Sequence, residues 1–431
     1  MNEQKIPQGY KNTEVGVIPE DWEIYHLKNL LKEPPKYGVN APAVPLVGKL
    51  PVYIRITDIS EDGYFSPSEK VGVKSPLSHL YILNDGDIVL ARTGASVGKS
   101  YLYKKEDGIL VYAGFLIKVS PDKERLDSKY LSQYLKTNKY WLWVAVNSMR
   151  SGQPGINSNE YGNLLIPLPN PREQTLIATA LSDVDALICE LEKLFAKKQA
   201  IKTATMQQLL TGKTRLPQFA LHEDGTKKGY KQSELGEIPE DWEVEKLGQF
   251  VVFKNGVAHE NCINEFGKYI VVNSKFISTE GAIGKYSSEC RQPVYLSDVL
   301  MVMSDVPNGR AIAKCYWVEK NNFYTLNQRI CSLQSVNVDS KYLFYKLDRN
   351  PFYLAFDDGA KQTNLRKQDV LDCPLAIPKS IQEQTAIATI LSDMDSEIQT
   401  LEQRLVKTRQ IKQGMMQELL TGKTRLVQPE A

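Results

Sequence analysis

Cysteine and histidine are scarce in this chain of 431 residues, which has six of the former and four of the latter. They are also scattered, with no C-x-x-C and no histidine at ligand spacing, so neither a disulfide framework nor a zinc site is predicted. A reducing cytoplasm is therefore the expected location. No run of about 18 apolar residues is present, so no membrane span is predicted. The N-terminus lacks the apolar core of a signal peptide.

Strong net charge is lacking as well. The formal charge is +2, which is too weakly basic to indicate a nucleic-acid partner by itself. With 42% hydrophobic and 24% charged residues, the chain has the composition of a globular protein. Its length allows two to four domains.

A complete phosphate-binding loop is missing, although its last residues occur twice. The phrase LLTGKTRL runs from Leu209 to Leu216 and again from Leu419 to Leu426. A P-loop requires a glycine five residues before the Gly of GKT, and Gln207 and Gln417 stand there instead. Because each phrase follows a long apolar helical pattern, its glycine predicts a helix C-terminus.

The chain contains an internal repeat of two copies, which extends well beyond LLTGKTRL. YKNTEVGVIPEDWE starts at Tyr10 and YKQSELGEIPEDWE at Tyr230. EQTLIATALSDVDALI starts at Glu173 and EQTAIATILSDMDSEI at Glu383. Between these blocks the two halves differ. Each half therefore consists of a short fixed opening segment, a long variable body and a long fixed helix.

The fixed segments show the spacing of paired helices. Apolar residues recur three, four and seven positions apart, which predicts two helices of about forty residues with a coiled-coil stripe. The stripe positions are Leu176, Ala180, Val184, Leu187, Leu191, Leu194 and Ile201, then Ile387, Leu391, Met394, Ile398, Leu401, Leu405 and Ile411. The two copies are expected to pair with each other antiparallel, with the variable bodies at opposite ends. An intermolecular coiled coil is the alternative.

The variable bodies mix strand and helix signals on a shared frame. DIVLARTGASVGK (Asp87 to Lys99) aligns with DVLMVMSDVPNGR (Asp298 to Arg310), where the strand residues stay apolar and the loop residues change. SGQPGIN (Ser151 to Asn157) and DGAKQTN (Asp358 to Asn364) are a second pair of polar loops. The loops of the two pairs are the variable features of a common fold.

This arrangement resembles the specificity subunit of type I restriction–modification systems over essentially the whole chain. The resemblance rests on GxIPEDWE, EQTxIATxLSDxD and LLTGKTRL, each present twice, together with GDIVLARTGASVGK in the first body. It implies an α+β fold in which two mixed α/β target-recognition domains are separated by two long helices. These helices form an antiparallel coiled coil with a pseudo-two-fold internal repeat. The expected boundaries are 1–165 and 217–375 for the recognition domains, and 166–216 and 376–431 for the helical regions.

The resemblance also implies a function. Each body would read one half of a split DNA site, and the helices would set the gap between the halves. Expected partners are double-stranded DNA and modification subunits, two in number, with restriction subunits in a complete complex. S-adenosylmethionine, ATP and magnesium would belong to those partners. The chain itself is expected to be a non-catalytic cytoplasmic DNA-binding subunit without a cofactor or metal.

Candidate DNA contacts follow from residue type. Arg and Lys read guanine, Asn and Gln read adenine, Ser and Thr read either, and several of these types also grip phosphates. In the first body the candidates are Arg92, Thr93, Ser96, Lys99, Arg150, Ser151, Gln153 and Asn157. In the second they are Asn308, Arg310, Lys361, Gln362, Thr363, Asn364, Arg366 and Lys367. The same residue types also cap turns, which is the structural alternative for each of them.

Other interpretations stay open at this level. In a coiled-coil scaffold that only joined partners, the loops of the two bodies would have no reason to differ. In a stand-alone adenine methyltransferase a catalytic motif would be needed, and its nearest match, NPFY at Asn350 to Tyr353, is interpreted as a helix end. Trp22 and Trp242 recur in fixed sequence, which favours structural anchors over base-stacking platforms. The distal helix halves, from Lys193 and Arg404 onward, are basic. They would either approach DNA or form a solvated coiled-coil face.

Overall fold

The computed structural model describes residues 6–149, 152–306 and 309–427. The chain forms two compact units, Met1–Glu192 with Gln403–Ala431, and Lys193–Glu402. This division falls inside both long helices, whereas the sequence-based boundaries lie near the helix ends. Those domain boundaries stay a prediction.

The first unit combines short strands with four helices in its described part. Its strands are β1 Tyr10–Thr13, β2 Gly16–Pro19, β3 Glu23–His26, β4 Lys36–Tyr37, β5 Ala43–Pro45, β6 Val52–Ile54, β7 Val71–Val73, β8 Ile88–Ala91, β9 Ser100–Leu102, β10 Leu110–Tyr112, β11 Leu116–Val119 and β12 Leu165–Leu168. Its helices are α1 Ser128–Tyr134, α2 Asn138–Asn147, α3 Ser158–Gly162 and the first part of α4 Pro171–Leu209. The end of the second long helix completes it.

The second unit is built in the same way. Its strands are β13 Tyr230–Ser233, β14 Gly236–Pro239, β15 Trp242–Lys246, β16 Val251–Asn255, β17 Tyr269–Val272, β18 Lys285–Ser287, β19 Val299–Val302, β20 Ser304–Asp305, β21 Cys315–Trp317, β22 Tyr324–Leu326, β23 Ile330–Ser335, β24 Thr363–Asn364 and β25 Pro374–Pro378. Its helices are α5 Ser274–Ser278, α6 Ser340–Leu347, α7 Pro351–Leu354, α8 Lys367–Leu371 and the first part of α9 Ile381–Leu419. The end of α4 completes it.

The two units share one sheet frame. A four-stranded sheet has the order β4-β11-β8-β9 in the first unit and β16-β23-β19-β21 in the second. All residues of the inner strands β8 and β19 are buried, as expected for continuous apolar runs in the middle of a sheet. Parallel pairs β6–β10 and β17–β22 also correspond. The α+β class and the internal repeat are thus confirmed.

The phrase LLTGKTRL ends both long helices. α4 stops at Leu209 and α9 at Leu419, and the glycines that follow, Gly212 and Gly422, have φ of +71° and +70°. Glycine enters this left-handed region without steric cost, and here it ends a helix. The predicted helix C-terminus is therefore confirmed.

An arginine three residues after each of these glycines joins three repeated segments into one cluster. Arg425 forms two hydrogen bonds with Glu173, 2.7 and 2.8 Å long, and two with Asp21, 2.9 and 2.7 Å long. Trp22 is completely buried and donates its indole N–H to Glu173 at 3.1 Å. The cluster thus ties GKTR, IPEDWE and EQT together inside the first unit.

The second unit contains the same cluster. Arg215 binds Glu383 at 2.7 and 2.9 Å and Asp241 at 2.8 and 3.1 Å. Lys228 adds a further ion pair to Asp241 at 2.8 Å. Trp242 is also completely buried, so the structural role predicted for both tryptophans is confirmed. We call this repeated arrangement of arginine, two carboxylates and tryptophan the arginine clasp.

Within each unit the two long helices run antiparallel. In the first unit Lys412 pairs with Asp185 at 2.6 Å and Arg409 with Glu192 at 2.6 Å. In the second unit Lys198 pairs with Glu397 at 2.6 Å, and Lys202 pairs with Asp395. Several of the basic helix residues are therefore engaged by the opposite helix, which accounts for them without DNA.

The predicted coiled-coil stripe is only partly buried. Leu191 is 5% exposed and Leu405 9%, whereas Leu187, Leu194 and Ile201 are 39–42% exposed. The first turns of α4 bury residues beside the predicted stripe, namely Ile177, Ala178 and Leu181, in the core of the first unit. The predicted antiparallel pairing of α4 with α9 is confirmed, but the stripe did not indicate that α4 also packs against a body.

Removing Arg215 should destabilise the second unit in a pH-dependent manner. Glu383 is 2% exposed, and its burial raises its pKa despite the opposing charge of Arg215. In Arg215→Met this carboxylate loses its compensating charge, so we expect a loss of about 3–5 kcal/mol of unfolding free energy at pH 7. Urea denaturation of the full chain measures this loss.

The loss in Arg215→Met should shrink on acidification. A carboxyl group whose folded pKa lies above its unfolded pKa favours the folded state at low pH, and this contribution disappears as pH rises through the folded pKa. The difference between the variant and the unmutated chain should therefore narrow between pH 7 and pH 5. Arg404→Met, at an exposed position of α9, is the control and should change stability by less than about 0.5 kcal/mol. Equal stability of Arg215→Met and the unmutated chain at pH 7 would contradict the clasp.

Candidate nucleic-acid interface

The two polar loops of the first unit lie side by side. The loop that follows β8 meets the loop that precedes α3, because Thr93 and Gly155 form an isolated β-bridge. The Gly94 N–H donates to the Pro154 carbonyl at 3.0 Å, and the Ile156 N–H donates to the Arg92 carbonyl at 2.9 Å. Segments about sixty residues apart in sequence therefore form one surface.

The predicted side chains on this surface differ in their surroundings. Arg92 is half-buried, with its guanidinium 4.9 Å from the centroid of the Tyr37 ring. Lys99 pairs with Glu61 at 2.6 Å. Ser96 is half-buried in the short turn after β8, and Gln153 is exposed, with its amide nitrogen against Gly94. The Thr93 hydroxyl donates weakly to the Pro154 carbonyl at 3.4 Å.

Asn157 has a structural task. Its side chain accepts the Glu160 N–H at 2.9 Å, and the Glu160 carboxylate accepts the Asn157 N–H at 2.7 Å. This reciprocal pair is a capping box at the start of α3. Asn157 is also exposed, so the cap does not prevent a contact with DNA. That contact stays a prediction.

The corresponding loops of the second unit also meet. β20 follows the inner strand β19 and pairs antiparallel with β24, so that Ser304 lies opposite Asn364. The Ser304 hydroxyl donates to the Asn364 side-chain carbonyl at 2.7 Å and accepts from the Gln362 amide at 2.7 Å. Thr363 is buried and donates to Asp357 at 3.1 Å. The amide groups of Gln362 and Asn364 are thus oriented by one serine.

The charged candidates of the second unit are exposed. Arg310, Lys361, Arg366 and Lys367 all lie at the surface, and the Arg366 side chain is 89% exposed. Arg366 precedes α8, and Lys367 lies 5.6 Å from the centroid of a phenylalanine ring. Exposed cations suit phosphate contacts, which need charge rather than fixed geometry.

Asp305 holds the loop that carries Arg310. Its carboxylate accepts backbone N–H groups of Ala311 at 2.6 Å and Ile312 at 3.1 Å. The position that aligns with it in the first unit is Gly94. The two loops therefore differ in shape as well as in side chains. Three predicted contacts, Arg150, Ser151 and Asn308, lie outside the described residues.

Sequence reasoning missed Tyr37 and Ser304, which orient predicted site residues. A signal for Tyr37 is available in the phrase KYGV, at 36–39, which returns as KNGV at 254–257. Its glycine is required, because a Cβ on Gly38 would lie 2.2 Å from the carbonyl oxygen of Ala113. The residue before this glycine therefore differs between the two units, whereas the backbone around it is the same.

NPFY does not form a cofactor loop. Asn350 caps α7 by accepting the Phe352 N–H at 2.9 Å, so the phrase starts a helix rather than ending one.

In the part of the chain that the structure describes, no three His, Cys, Asp or Glu side chains are grouped to hold a metal ion. No helix in the same part is long and apolar enough to cross a membrane.

Comparisons with known proteins agree on one family. A profile described as the type I restriction modification DNA specificity domain matches residues 19–203 and 239–409. The type I restriction enzyme MjaVIII specificity subunit of Methanocaldococcus jannaschii is 29% identical, and the alignment covers 95% of this chain and 94% of that protein.

Two solved structures share the fold. The S subunit of a type I restriction–modification system from M. genitalium gives a TM-score of 0.59 at 16% identity, covering 92% of this chain and 96% of that one. A chain from a study of complex assembly and conformational transition of the type I R-M system gives 0.51 at 14% identity, covering 94% and 99%. At these identities the likeness concerns the fold alone.

The capping role of Asn157 can be tested by substitution. Asn157→Ala removes the cap and should lower the free energy of unfolding by about 1 kcal/mol. Asn157→Asp keeps an acceptor for the Glu160 N–H and should leave stability within about 0.5 kcal/mol. Thermal and urea denaturation measure both variants. An equal loss of stability in the two variants would show that the cap is not the stabilising interaction.

Proposed function

Since the chain belongs to the type I restriction–modification DNA specificity family, and is a specificity subunit with two target-recognition domains, we propose how it reads DNA. Each domain reads one half of a split duplex site, and the long helices fix the number of base pairs between the halves. Ranges 1–165 and 217–375 carry the recognition, and 166–216 and 376–431 the helical regions.

One observation carries this proposal: the same two loops are brought together in both units while their side chains differ. In the first unit the bridge joins Thr93 to Gly155, and in the second β20 pairs with β24. A fixed frame that presents different donors and acceptors is what two different base sequences require. A scaffold that only joins partners is not favoured, because the family profile matches both units.

The partners are other subunits of the modification system. We propose that modification subunits, two per chain, dock on the long helices and that restriction subunits join the complete complex. Leu187, Leu194 and Ile201 support a docking role, since they recur every seven residues on α4 and stay about 40% exposed. A regular exposed apolar row suits the apolar row of a partner helix.

We further propose a division of chemistry. The modification subunits bind S-adenosylmethionine and transfer its methyl group to adenine, whereas ATP and magnesium serve the restriction subunits. This chain contributes sequence selection and holds no catalytic centre of its own. A stand-alone methyltransferase is not favoured, because both matched segments are DNA specificity domains.

A map of methylated adenines tests the proposed reading. Cells that carry this gene with its modification gene should methylate a split motif with one fixed gap, and deletion of this gene alone should abolish that motif. Sequencing that detects methyladenine measures the result. Persistence of the same motif after the deletion would exclude this chain as the specificity subunit.

The recognition domains should act independently. Gln362→Ala combined with Asn364→Ala should relax or change only the half-site read by the second unit, because both amide groups lie on its loops and are oriented by Ser304. Each lost base contact should reduce discrimination by about 1–3 kcal/mol, whereas a lost phosphate contact should weaken binding uniformly. The matched control, Gln153→Ala on the corresponding loop of the first unit, should affect the other half-site alone. A change in both halves from either variant would contradict independent reading.

A further inference from the structure

A variable residue sits at a fixed place in each unit. The phrase at 36–39, KYGV, and the phrase at 254–257, KNGV, occupy the same strand of the shared sheet. The strand registers give the same correspondence, with Tyr37 in the first unit matching Asn255 in the second. The frame thus accepts both a large aromatic and a small amide side chain at this position.

A second position changes together with it. Arg92 follows strand β8 directly, and the same strand end in the second unit carries Met303. Tyr37 and Arg92 contact each other, whereas their counterparts are an amide and a thioether that cannot form a cation–π pair. The pair is therefore an added feature of the first unit rather than a requirement of the fold.

The Arg92 guanidinium is held in place. It stacks over the Tyr37 ring, and its Nε is buried without a hydrogen-bond partner. Its backbone is fixed by the Ile156 N–H, which donates to the Arg92 carbonyl at 2.9 Å. With Nε turned inward, the two terminal nitrogens are the part that a ligand can reach. They form a planar edge suited to a carboxylate or a phosphate.

The Tyr37 hydroxyl is oriented as well. It accepts the Ser158 N–H at 3.1 Å, so its own hydrogen is available to donate. Burial raises the pKa of Tyr37, but the Ser158 N–H and the Arg92 charge outweigh it and leave the pKa below its usual value. The Ser158 N–H therefore holds in place the ring on which the Arg92 guanidinium lies.

The depth at which Arg92 lies indicates whether it contacts a base or a phosphate. A side chain that reads base edges must reach into a major groove about 8.5 Å deep. Arg92 is half-buried and packed down on the Tyr37 ring, so it meets what lies at the protein surface. On duplex DNA that is the phosphate backbone at the rim of the groove.

We propose that Arg92 binds a backbone phosphate of the first half-site and that Tyr37 is the positioning residue that holds its guanidinium. This inference rests on the proposed DNA-reading function. The second unit lacks the site, since Asn255 and Met303 occupy the two positions. Arg92 thus contributes affinity and register, while other residues of the same loops select the bases.

Arg92→Met and Tyr37→Asn carry the residues of the second unit, which keeps each variant compatible with the shared frame. We would measure binding of the full chain, with its modification subunit, to a duplex with the mapped site and to duplexes with one half scrambled. The slope of log affinity against log salt is negative, and Arg92→Met should reduce its magnitude by about 1. It should weaken binding about eightfold at 0.1 M salt on all duplexes alike, because about 0.9 counterion is released per phosphate contact.

The positioning role has its own readout. Tyr37→Asn should weaken binding in the unmutated background but add no further loss to Arg92→Met, whereas Tyr37→Phe keeps the ring and should retain most of the affinity. Arg125→Met is the matched control, because Arg125 also stacks on a tyrosine of the first unit, Tyr25, at 5.1 Å. It should leave the salt slope unchanged.

Each contrary result has one meaning. An unchanged slope in Arg92→Met, or an equal change in Arg125→Met, would overturn the phosphate site. Relaxed preference at one base pair with an unchanged slope would make Arg92 a base reader instead. If the unmutated complex did not prefer the mapped duplex, the proposed function would fail, while a lowered slope in Arg92→Met would still support the phosphate contact.

Discussion

The arginine clasp is the interaction on which both units depend. In each unit one arginine binds two carboxylates, one of them almost fully buried, and a tryptophan without exposed surface lies beside it. A buried carboxylate is costly unless it is paired and hydrogen-bonded, so the segments that supply these groups must come together for the unit to fold. The three most nearly identical segments of the repeat are the three that meet there.

The clasp also determines how the chain closes. The GKTR of the first copy completes the second unit, through Arg215, and that of the second copy completes the first unit, through Arg425. The end of the described chain therefore belongs to the same unit as its beginning, and Tyr10 donates its hydroxyl to the Gly422 carbonyl at 2.9 Å. Each unit needs segments of both copies, which explains why fixed sequence returns at the end of each half.

Variation is confined to places where the frame tolerates it. The inner strands β8 and β19 stay apolar and buried, while the residues just beyond them change from Arg92 to Met303 and from Gly94 to Asp305. A sheet holds such loops by backbone hydrogen bonds, which do not depend on side-chain identity. The protein can thus alter what it contacts without altering what holds it together, as a specificity subunit requires.

The sequence by itself determined the repeat, the two long helices, their glycine stops and the loops that vary, because each of these is a local pattern of spacing or identity. It did not determine which helix face is buried, since α4 meets two partners and Leu187 stays exposed. Nor did it indicate that Tyr37 lies under Arg92 or that Arg425 binds Glu173, 252 residues away. Such contacts depend on strand register and chain closure, which bring distant residues together only once the whole unit has folded.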